Sequence, residues 1–362
     1  MKETTTLLIV FVRPRDSRSS TNITLKYDLA HFSLRVDNTL NLMRIKKKHL
    51  TFISFSMLGV ILSGEAFCRF YLGLGTPPLS IQHPTIEYLY VPNQDVYPFK
   101  NHFVTNEYGM RSEPFSKQKG EDELRVLVFG DSVINGGSLT DQSHLATVLL
   151  KEHLEKASYK DVVVGNISAG SWGPGNWLAY AQEYGFFEAD IVVLVVSSHD
   201  YADNPSFSPL NENTHPSKKM PSALMDGIFR YLPRYLPRTE DSTAVKHRNS
   251  FFEKQHGEDA LKGISDLKQF LQLAKKQSNF VLVSQHWEKV EIDNRAASSG
   301  NVQIQEACSQ IGIKVISLQP YFQKAVDDGV NPYRDNIHPN DFGQRLISEA
   351  IFDNIPKVYF SN

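Results

Sequence analysis

This chain contains few cysteines and carries almost no net charge. Among its 362 residues only Cys68 and Cys308 are cysteines, too few and too far apart for a disulfide framework or a cysteine-based zinc cage. The formal net charge is −2, so the overall balance gives no indication of nucleic-acid binding. No Walker-type loop or dinucleotide-binding glycine fingerprint occurs, and we predict neither a cofactor nor a metal. The 41% hydrophobic and 22% charged content is that of an ordinary globular protein.

A long apolar run is also missing, since the longest legible one covers only residues 50–62, LTFISFSMLGVIL. A membrane-spanning helix needs about 20 residues. A basic cluster precedes the run, however, and this layout is typical of a signal sequence or signal anchor. No clear A-x-A cleavage site follows, so we predict an uncleaved anchor that holds the main domain outside the cytoplasmic membrane, periplasmic or extracellular. A cleaved signal peptide and a buried helix of a cytosolic domain are the alternatives.

The chain divides into four predicted segments. Residues 1–42 show no sustained periodicity, and we expect a non-native or disordered extension ahead of a true start at Met43. Residues 43–74 hold the basic cluster and the anchor. Residues 75–123 are rich in proline and tyrosine and predict an extended segment packed on the main domain. Residues 124–362 form that domain.

Short apolar runs alternate with helical patterns through residues 124–362, which predicts an α/β fold: a three-layer α/β/α sandwich around a parallel sheet of about five strands. One interval, residues 201–256, is rich in proline and polar residues and too long for a simple connection. We interpret it as an insertion beside the active-site edge, either a lid or substrate platform suited to carbohydrate or an acidic polymer, or a surface loop.

Two distant motifs carry the chemistry. Residues 125–139, RVLVFGDSVINGGSL, predict a buried strand that stops at Gly-Asp-Ser and delivers the hydroxyl of Ser132 to the sheet edge. About two hundred residues later, Asp335 and His338 form a D-x-x-H pair. Together these residues would complete a nucleophile, a base and a group that orients the base.

These motifs, with a glycine-rich turn after the second strand and an aspartate after the third, resemble the SGNH (GDSL-type) hydrolase family over roughly residues 124–356. The resemblance implies a flavodoxin-like sheet and a serine esterase. It implies that Ser132 is the nucleophile, His338 the general base and Asp335 the residue that fixes the imidazole tautomer.

The resemblance also implies an oxyanion hole, and here the sequence departs from the family pattern. The backbone N–H of Ser132 and that of Gly170 or Ser171 correspond to two of its donors. The family's G-x-N-D motif is replaced by residues 197–200, Ser-Ser-His-Asp, so that His199 stands where the family has an asparagine. His199 either replaces the amide donor or is a hydrogen-bonded structural histidine. Further pocket candidates at the predicted edge are Asp131, Asn135, Asp200, Asn204 and His286.

A competing nucleophile must be considered. Residues 169–173, Ala-Gly-Ser-Trp-Gly, resemble the A-x-S-x-G variant of the nucleophile elbow of α/β-hydrolases, which would make Ser171 the nucleophile. That interpretation leaves the Gly-Asp-Ser strand end unexplained.

The resulting functional expectation is an esterase acting on acyl esters, O-acetyl esters in particular, of a cell-envelope or exported polysaccharide. The substrate class rests on the anchor and the resemblance. A polysaccharide O-acetyltransferase with the same triad is one alternative, and a non-catalytic carbohydrate-binding protein with the same scaffold is another. The expected partners are an ester-bearing carbohydrate or small acyl ester and, through the N-terminal anchor, the membrane.

Overall fold

The computed structural model describes residues 47–158, 161–234 and 242–360. Backbone contacts divide the chain into two compact units, Met1–Ser56 and Met57–Asn362. The predicted extension, residues 1–42, lies outside the described residues. All the strands described below belong to the second unit.

The N-terminal part begins with an apolar helix. Helix α1, Lys47–Ala66, continues into a π-helical turn, Phe67–Tyr71. Within the described residues, one stretch, Phe52–Tyr71, is long and apolar enough by length and composition to cross a membrane.

The proline- and tyrosine-rich segment forms two small antiparallel strand pairs. Their strands are β1 (Ser80–His83), β2 (Glu87–Tyr90), β3 (Asp95–Val96) and β4 (Phe103–Val104). Ile86, Tyr88 and Phe103 of this segment are fully or almost fully buried in the core of the main domain.

The main domain is organised around a five-stranded parallel sheet with the order β6-β5-β7-β8-β9. Its strands are β5 (Glu123–Gly130), β6 (Asp161–Ser168), β7 (Ile191–Val196), β8 (Phe280–Gln285) and β9 (Lys314–Ser317). This 2-1-3-4-5 order is that of flavodoxin-like sheets, in which ligands bind at the carboxyl ends of the strands where the order reverses. The predicted sheet is confirmed.

Helices cover both faces of the sheet. The helices described after α1 are α2 (Ser132–Asn135), α3 (Ala146–Ala157), α4 (Pro174–Tyr184), α5 (Ala223–Asp226), α6 (Ser242–Gln277), α7 (Lys289–Asn294), α8 (Ser299–Gln310), α9 (Gln319–Asp327) and α10 (Asp341–Asn354). Short helical turns occur at Gly137–Leu139, Gln142–His144, Asp200–Ala202, Gly227–Tyr231, Leu232–Arg234 and Lys357–Tyr359.

Alternate residues of β5 explain the three layers. Leu127 and Phe129 contribute to an apolar cluster with α4, α6 and α8 on one face. Val126 and Val128 contribute to a second cluster with α3, α9 and α10 on the other. Every residue of β7 is buried, as expected for a strand covered on both faces. The predicted three-layer α/β/α architecture is therefore present.

The predicted insertion, residues 201–256, is more helical than its composition indicated. Residues 205–222 run without regular structure, but residues 223–234 are helical, and α6 begins at Ser242, before the predicted end of the insertion. Residues 235–241 lie outside the described part of the chain. The reason for the early start of α6 is visible in the sequence, because residues 242–277 contain no proline to interrupt a helix.

Candidate active site

The serine motif is built on a tight turn between β5 and α2. A Cβ atom on Gly130 would lie 2.5 Å from Cγ2 of Ile134, so the turn requires glycine there. The buried carboxylate of Asp131 caps α2 by accepting the backbone N–H of Val133 at 2.9 Å. Ser132, the first residue of the helix, is thereby fixed at the carboxyl end of the sheet.

The histidine motif meets this serine. Nε2 of His338 lies 2.9 Å from Oγ of Ser132, and Nδ1 of His338 lies 2.8 Å from Oδ2 of Asp335. Oδ1 of Asp335 accepts the backbone N–H groups of Ile337 and His338 at 2.9 and 2.8 Å. Partial burial works against ionisation, but these hydrogen bonds and the charge of the imidazole lower the pKa of Asp335. Two segments about 200 residues apart thus form one nucleophile–base–carboxylate chain.

Two arginines hold the loop that follows Ser132. Arg111, almost fully buried, donates to the backbone oxygens of Asn135, Gly137 (2.7 Å) and Thr140 (2.6 Å). The role of Arg111 is therefore structural. Arg334, next to the triad aspartate, donates to Oγ1 of Thr140 at 3.3 Å. The serine and histidine loops are consequently braced against each other.

His286 supports the histidine loop from behind and does not line a pocket. Its ring is fully buried, contacts Phe322 edge-on, and donates from Nε2 to the backbone oxygen of Ile337 at 2.8 Å. Burial lowers the pKa of His286 and so favours its neutral form. The prediction of a pocket residue is wrong, because the end of β8 lies under the histidine loop and not at the surface.

His199 lies in a carboxylate-rich environment. Its Nδ1–H donates to Oε1 of Glu288 at 2.9 Å, and Oγ of Ser198 donates to the same oxygen at 2.9 Å. Its Nε2 lies 3.3 Å from Oδ1 of Asp200 and 3.6 Å from Oδ2 of Asp131. Burial disfavours the charged ring, but the hydrogen bond to Glu288 and the charges of Asp200 and Asp131 outweigh it, raising the pKa of His199 to about 10. The imidazole is therefore cationic at neutral pH.

The pKa values of the carboxylates around His199 are shifted as well. The hydrogen bond from His199 lowers the pKa of Glu288. Burial, with the nearby charge of Asp131, raises the pKa of Asp200 well above its usual range, and burial raises that of Asp203 to about 6. Among the described residues Asp131, His199 and Asp200 bring one potential metal ligand each within 4.8 Å of one another.

The loop carrying His199 is tightly packed from below. A Cβ atom on Gly300, in α8, would lie 1.8 Å from the backbone oxygen of Ser198. Oδ2 of Asp200 accepts the N–H of Ser197 at 2.6 Å and closes the turn. The imidazole of His199 therefore projects from a backbone that has little freedom to move.

The glycine-rich second motif lies beside the serine. Ser171 is exposed and has a left-handed backbone, φ 58°. The oxygen of Gly170 accepts a hydrogen bond from the Tyr88 hydroxyl, which is 3.0 Å from Nε2 of His215. In the described residues no imidazole is hydrogen-bonded to Oγ of Ser171, whereas His338 contacts Ser132, and this difference disfavours Ser171 as the nucleophile.

Two predicted pocket residues have structural roles instead. Asn135 is buried, accepts from the Tyr90 hydroxyl at 3.1 Å and donates to the backbone oxygen of Ser168 at 2.9 Å. Asn204 donates from its side-chain amide to the backbone oxygen of Asp259 at 2.8 Å and so ties its loop to α6. Both predictions placed polar residues at the correct edge but could not show that neighbouring backbone groups already use them.

Glu288 was missed by sequence reasoning. It follows Trp287 just beyond β8, and a carboxylate after a core strand of a parallel sheet was the available signal. What the sequence did not show is that this carboxylate would reach the imidazole that follows the neighbouring strand β7.

No protein-family model and no curated protein sequence matches the chain. Solved structures that resemble it include a lipolytic G-D-S-L family member from Veillonella parvula, with 13% identity and a TM-score of 0.41, over 64% of this chain and 98% of that one. A catalytic mutant of an acetylxylan esterase from Geobacillus stearothermophilus has 14% identity and a TM-score of 0.40, over 68% of this chain and 98% of that one. A two-domain esterase active on acetylated mannans has 14% identity and a TM-score of 0.42, over 66% of this chain and 50% of that one.

Proposed function

We propose that this protein is a serine esterase whose nucleophile is Ser132. One observation carries the proposal: Nε2 of His338 lies 2.9 Å from Oγ of Ser132 while Asp335 holds Nδ1 of the same ring at 2.8 Å. This is the geometry that activates a serine hydroxyl at neutral pH. The complete arrangement also favours catalysis over a purely carbohydrate-binding role.

The proposed reaction has two half-reactions. His338 takes the proton of the Ser132 hydroxyl as Oγ attacks the ester carbonyl, and then gives it to the departing alcohol. Water attacks the resulting acyl-enzyme, His338 takes a proton from that water, and the carboxylic acid leaves as Oγ recovers its proton. Asp335 keeps Nδ1–H pointed at itself and stabilises the imidazolium in both steps.

His199 is proposed as the charged donor of the oxyanion hole, beside the backbone N–H of Ser132 and that of Gly170 or Ser171. Ser132 Oγ lies 3.3 Å from Oδ2 of Asp131, and His199 Nε2 lies 3.6 Å from the same oxygen. Nucleophile and imidazolium therefore lie on one side of the site. Preorganised donors that meet developing negative charge in this way lower the barrier of acyl transfer.

The proposed substrates are acyl esters, O-acetyl esters in particular, on a cell-envelope or exported polysaccharide. The open position of the triad supports a polymeric substrate, since the side chains of His338 and Asp335 are 28% and 50% exposed. The apolar stretch Phe52–Tyr71 supports anchoring to the cytoplasmic membrane with the catalytic unit outside it. The same triad could also transfer the acyl group to a sugar hydroxyl, and this differs from hydrolysis only in the acceptor.

The test combines labelling and turnover. A fluorophosphonate probe should label the wild-type chain and Ser171→Ala but not Ser132→Ala, and p-nitrophenyl acetate hydrolysis should follow the same order. Equal labelling of Ser132→Ala would refute the proposal. Adding an acetylated oligosaccharide and an unacetylated acceptor then separates release of acetate from transfer to the acceptor.

A further inference from the structure

The helical segment that follows the loop of the insertion has one face packed against the end of the apolar helix region. Ala223 forms a small buried cluster with Cys68 and Leu74, and Tyr231 packs against the same cluster. Gly227 lies so close that a Cβ on it would be 3.3 Å from Leu74. Residues 223–234, which comprise α5 and the two helical turns after it, therefore lie directly on the turn that ends the apolar stretch.

Polar contacts fix this segment in place. The carboxylate of Glu65, in the last turn of α1, accepts the backbone N–H groups of Ala223 and Leu224 at 3.1 and 2.9 Å. Asp226 accepts the N–H of Gly75 at 3.0 Å and forms a buried ion pair with Arg230. The segment is attached to the C-terminal end of α1 and not to the sheet edge.

The opposite face of the segment is apolar and exposed. Met225, Ile228, Phe229 and Leu232 follow the spacing i, i+3, i+4, i+7, which places them on one side of a helix, and they are between 38% and 56% exposed. Such a face is normally buried against a partner. The neighbouring turn at the end of the apolar stretch exposes Phe67, Phe70 and Tyr71 as well.

We propose that this face, formed by Met225, Ile228, Phe229 and Leu232, lies in the interfacial layer of the membrane that anchors α1. The inference rests on the proposed anchoring and adds a second membrane contact to it. The membrane is the proposed occupant because the segment that carries the exposed face packs on the turn that carries Phe67, Phe70 and Tyr71. These three side chains are exposed as well, and they end a stretch apolar enough by length and composition to cross a bilayer. Exposed Lys100, with its Nζ 5.3 Å from the Tyr71 ring, adds a cation where lipid phosphates would lie.

This second contact would restrict the orientation of the catalytic unit. A single anchor helix leaves a domain free to rotate about its connection, whereas a helix lying flat in the interface adds a second attachment. The insertion would then serve to orient the domain at the membrane and not to close over the triad.

Tryptophan quenching in vesicles tests the inference. The full chain with Phe229→Trp or Leu232→Trp is reconstituted into phosphatidylcholine–phosphatidylglycerol vesicles that contain lipids brominated near the headgroup or near the chain end. Val60→Trp, in α1, reports the anchor itself, and Val290→Trp, which replaces a side chain as exposed as Phe229 (56%), reports unspecific adsorption. The wild-type chain corrects for its three native tryptophans.

We expect shallow quenching for Phe229→Trp and Leu232→Trp, deep quenching for Val60→Trp, and no quenching above the wild-type background for Val290→Trp. Quenching of Val60→Trp alone would overturn the second contact while leaving the anchor intact. Absence of quenching at all positions would overturn both the contact and the proposed membrane location, without bearing on the esterase chemistry. Cross-linking between copies of a Phe229→Cys variant, together with no lipid quenching of Phe229→Trp, would show that a second copy covers the face and would also overturn the inference.

Discussion

Replacing Glu288 by glutamine tests whether the charge on His199 contributes to the reaction. The carboxylate of Glu288 accepts Nδ1–H of His199 at 2.9 Å and is the first cause that raises the pKa of this ring to about 10 against burial. Glutamine preserves the shape and can still accept the hydrogen bond, but it removes the charge. We expect the pKa of His199 to fall and the alkaline limb of the kcat profile to move to lower pH.

The expected loss of kcat follows from the proposed role of His199 as a donor in the oxyanion hole. Loss of one oxyanion-hole donor costs about 10²–10³ in kcat, or about 2.7–4 kcal/mol of transition-state stabilisation. His199→Ala should show this loss at neutral pH with little change in KM, and His199→Asn should recover most of it, because an amide N–H can donate from the same position. Glu288→Gln should lie between wild type and His199→Ala, approaching the latter as pH rises.

The assay is ester hydrolysis across a pH series, combined with NMR titration of the His199 ring. Asp293→Asn is the matched control, because it removes a carboxylate from α7, the helix that directly follows Glu288, where the partner is Lys289 and not His199. A pKa of His199 that falls while the kcat profile stays in place would refute the donor role. A His199→Ala variant with kcat within about threefold of wild type would do so as well.

The ion pair between His199 and Glu288 also predicts that the stability of the fold depends on pH. The folded-state pKa of His199, about 10, lies above the ordinary value of 6.5. Stability from protonation of His199 is therefore fully present below about 6.5 and is lost as pH rises through about 10. The Tm difference between wild type and Glu288→Gln should be largest near neutral pH and should shrink above pH 10. A difference that persists unchanged there would contradict the assigned protonation state.

The remaining predictions concern the triad and the loop beneath it. Asp335→Asn should lower kcat by about 10⁴ because the tautomer of His338 is no longer fixed, while Tm, measured by thermal denaturation, should change little; retention of most activity would exclude Asp335 from the triad. Gly300→Ala should destabilise the protein by about 1–3 kcal/mol in urea denaturation, since the added Cβ meets the backbone oxygen of Ser198 at 1.8 Å. Gly257→Ala, a helical glycine in α6 with open space around it, is the control and should be neutral or stabilising.

The parallel sheet and the three side chains of the Ser-His-Asp arrangement could be predicted from the sequence alone. Runs such as those of β5 and β7 are buried on both faces, so their apolar pattern is continuous and easily recognised. Ser132, Asp335 and His338 are recognisable because the chemistry needs a hydroxyl at a strand end and a short local turn that brings a carboxylate to an imidazole. These are local properties that spacing along the chain can specify.

The partners of the other polar residues could not be predicted in this way, because they depend on how distant segments pack. His286 and Asn135 lie at the predicted edge of the sheet, but each is buried and hydrogen-bonded to a segment far away in sequence. Glu288 reaches His199 because β7 and β8 are neighbours, a pairing that places the two residues 89 positions apart in contact. Whether a polar side chain faces a substrate, a backbone oxygen or another charge depends on long-range packing, which no pattern along the chain encodes.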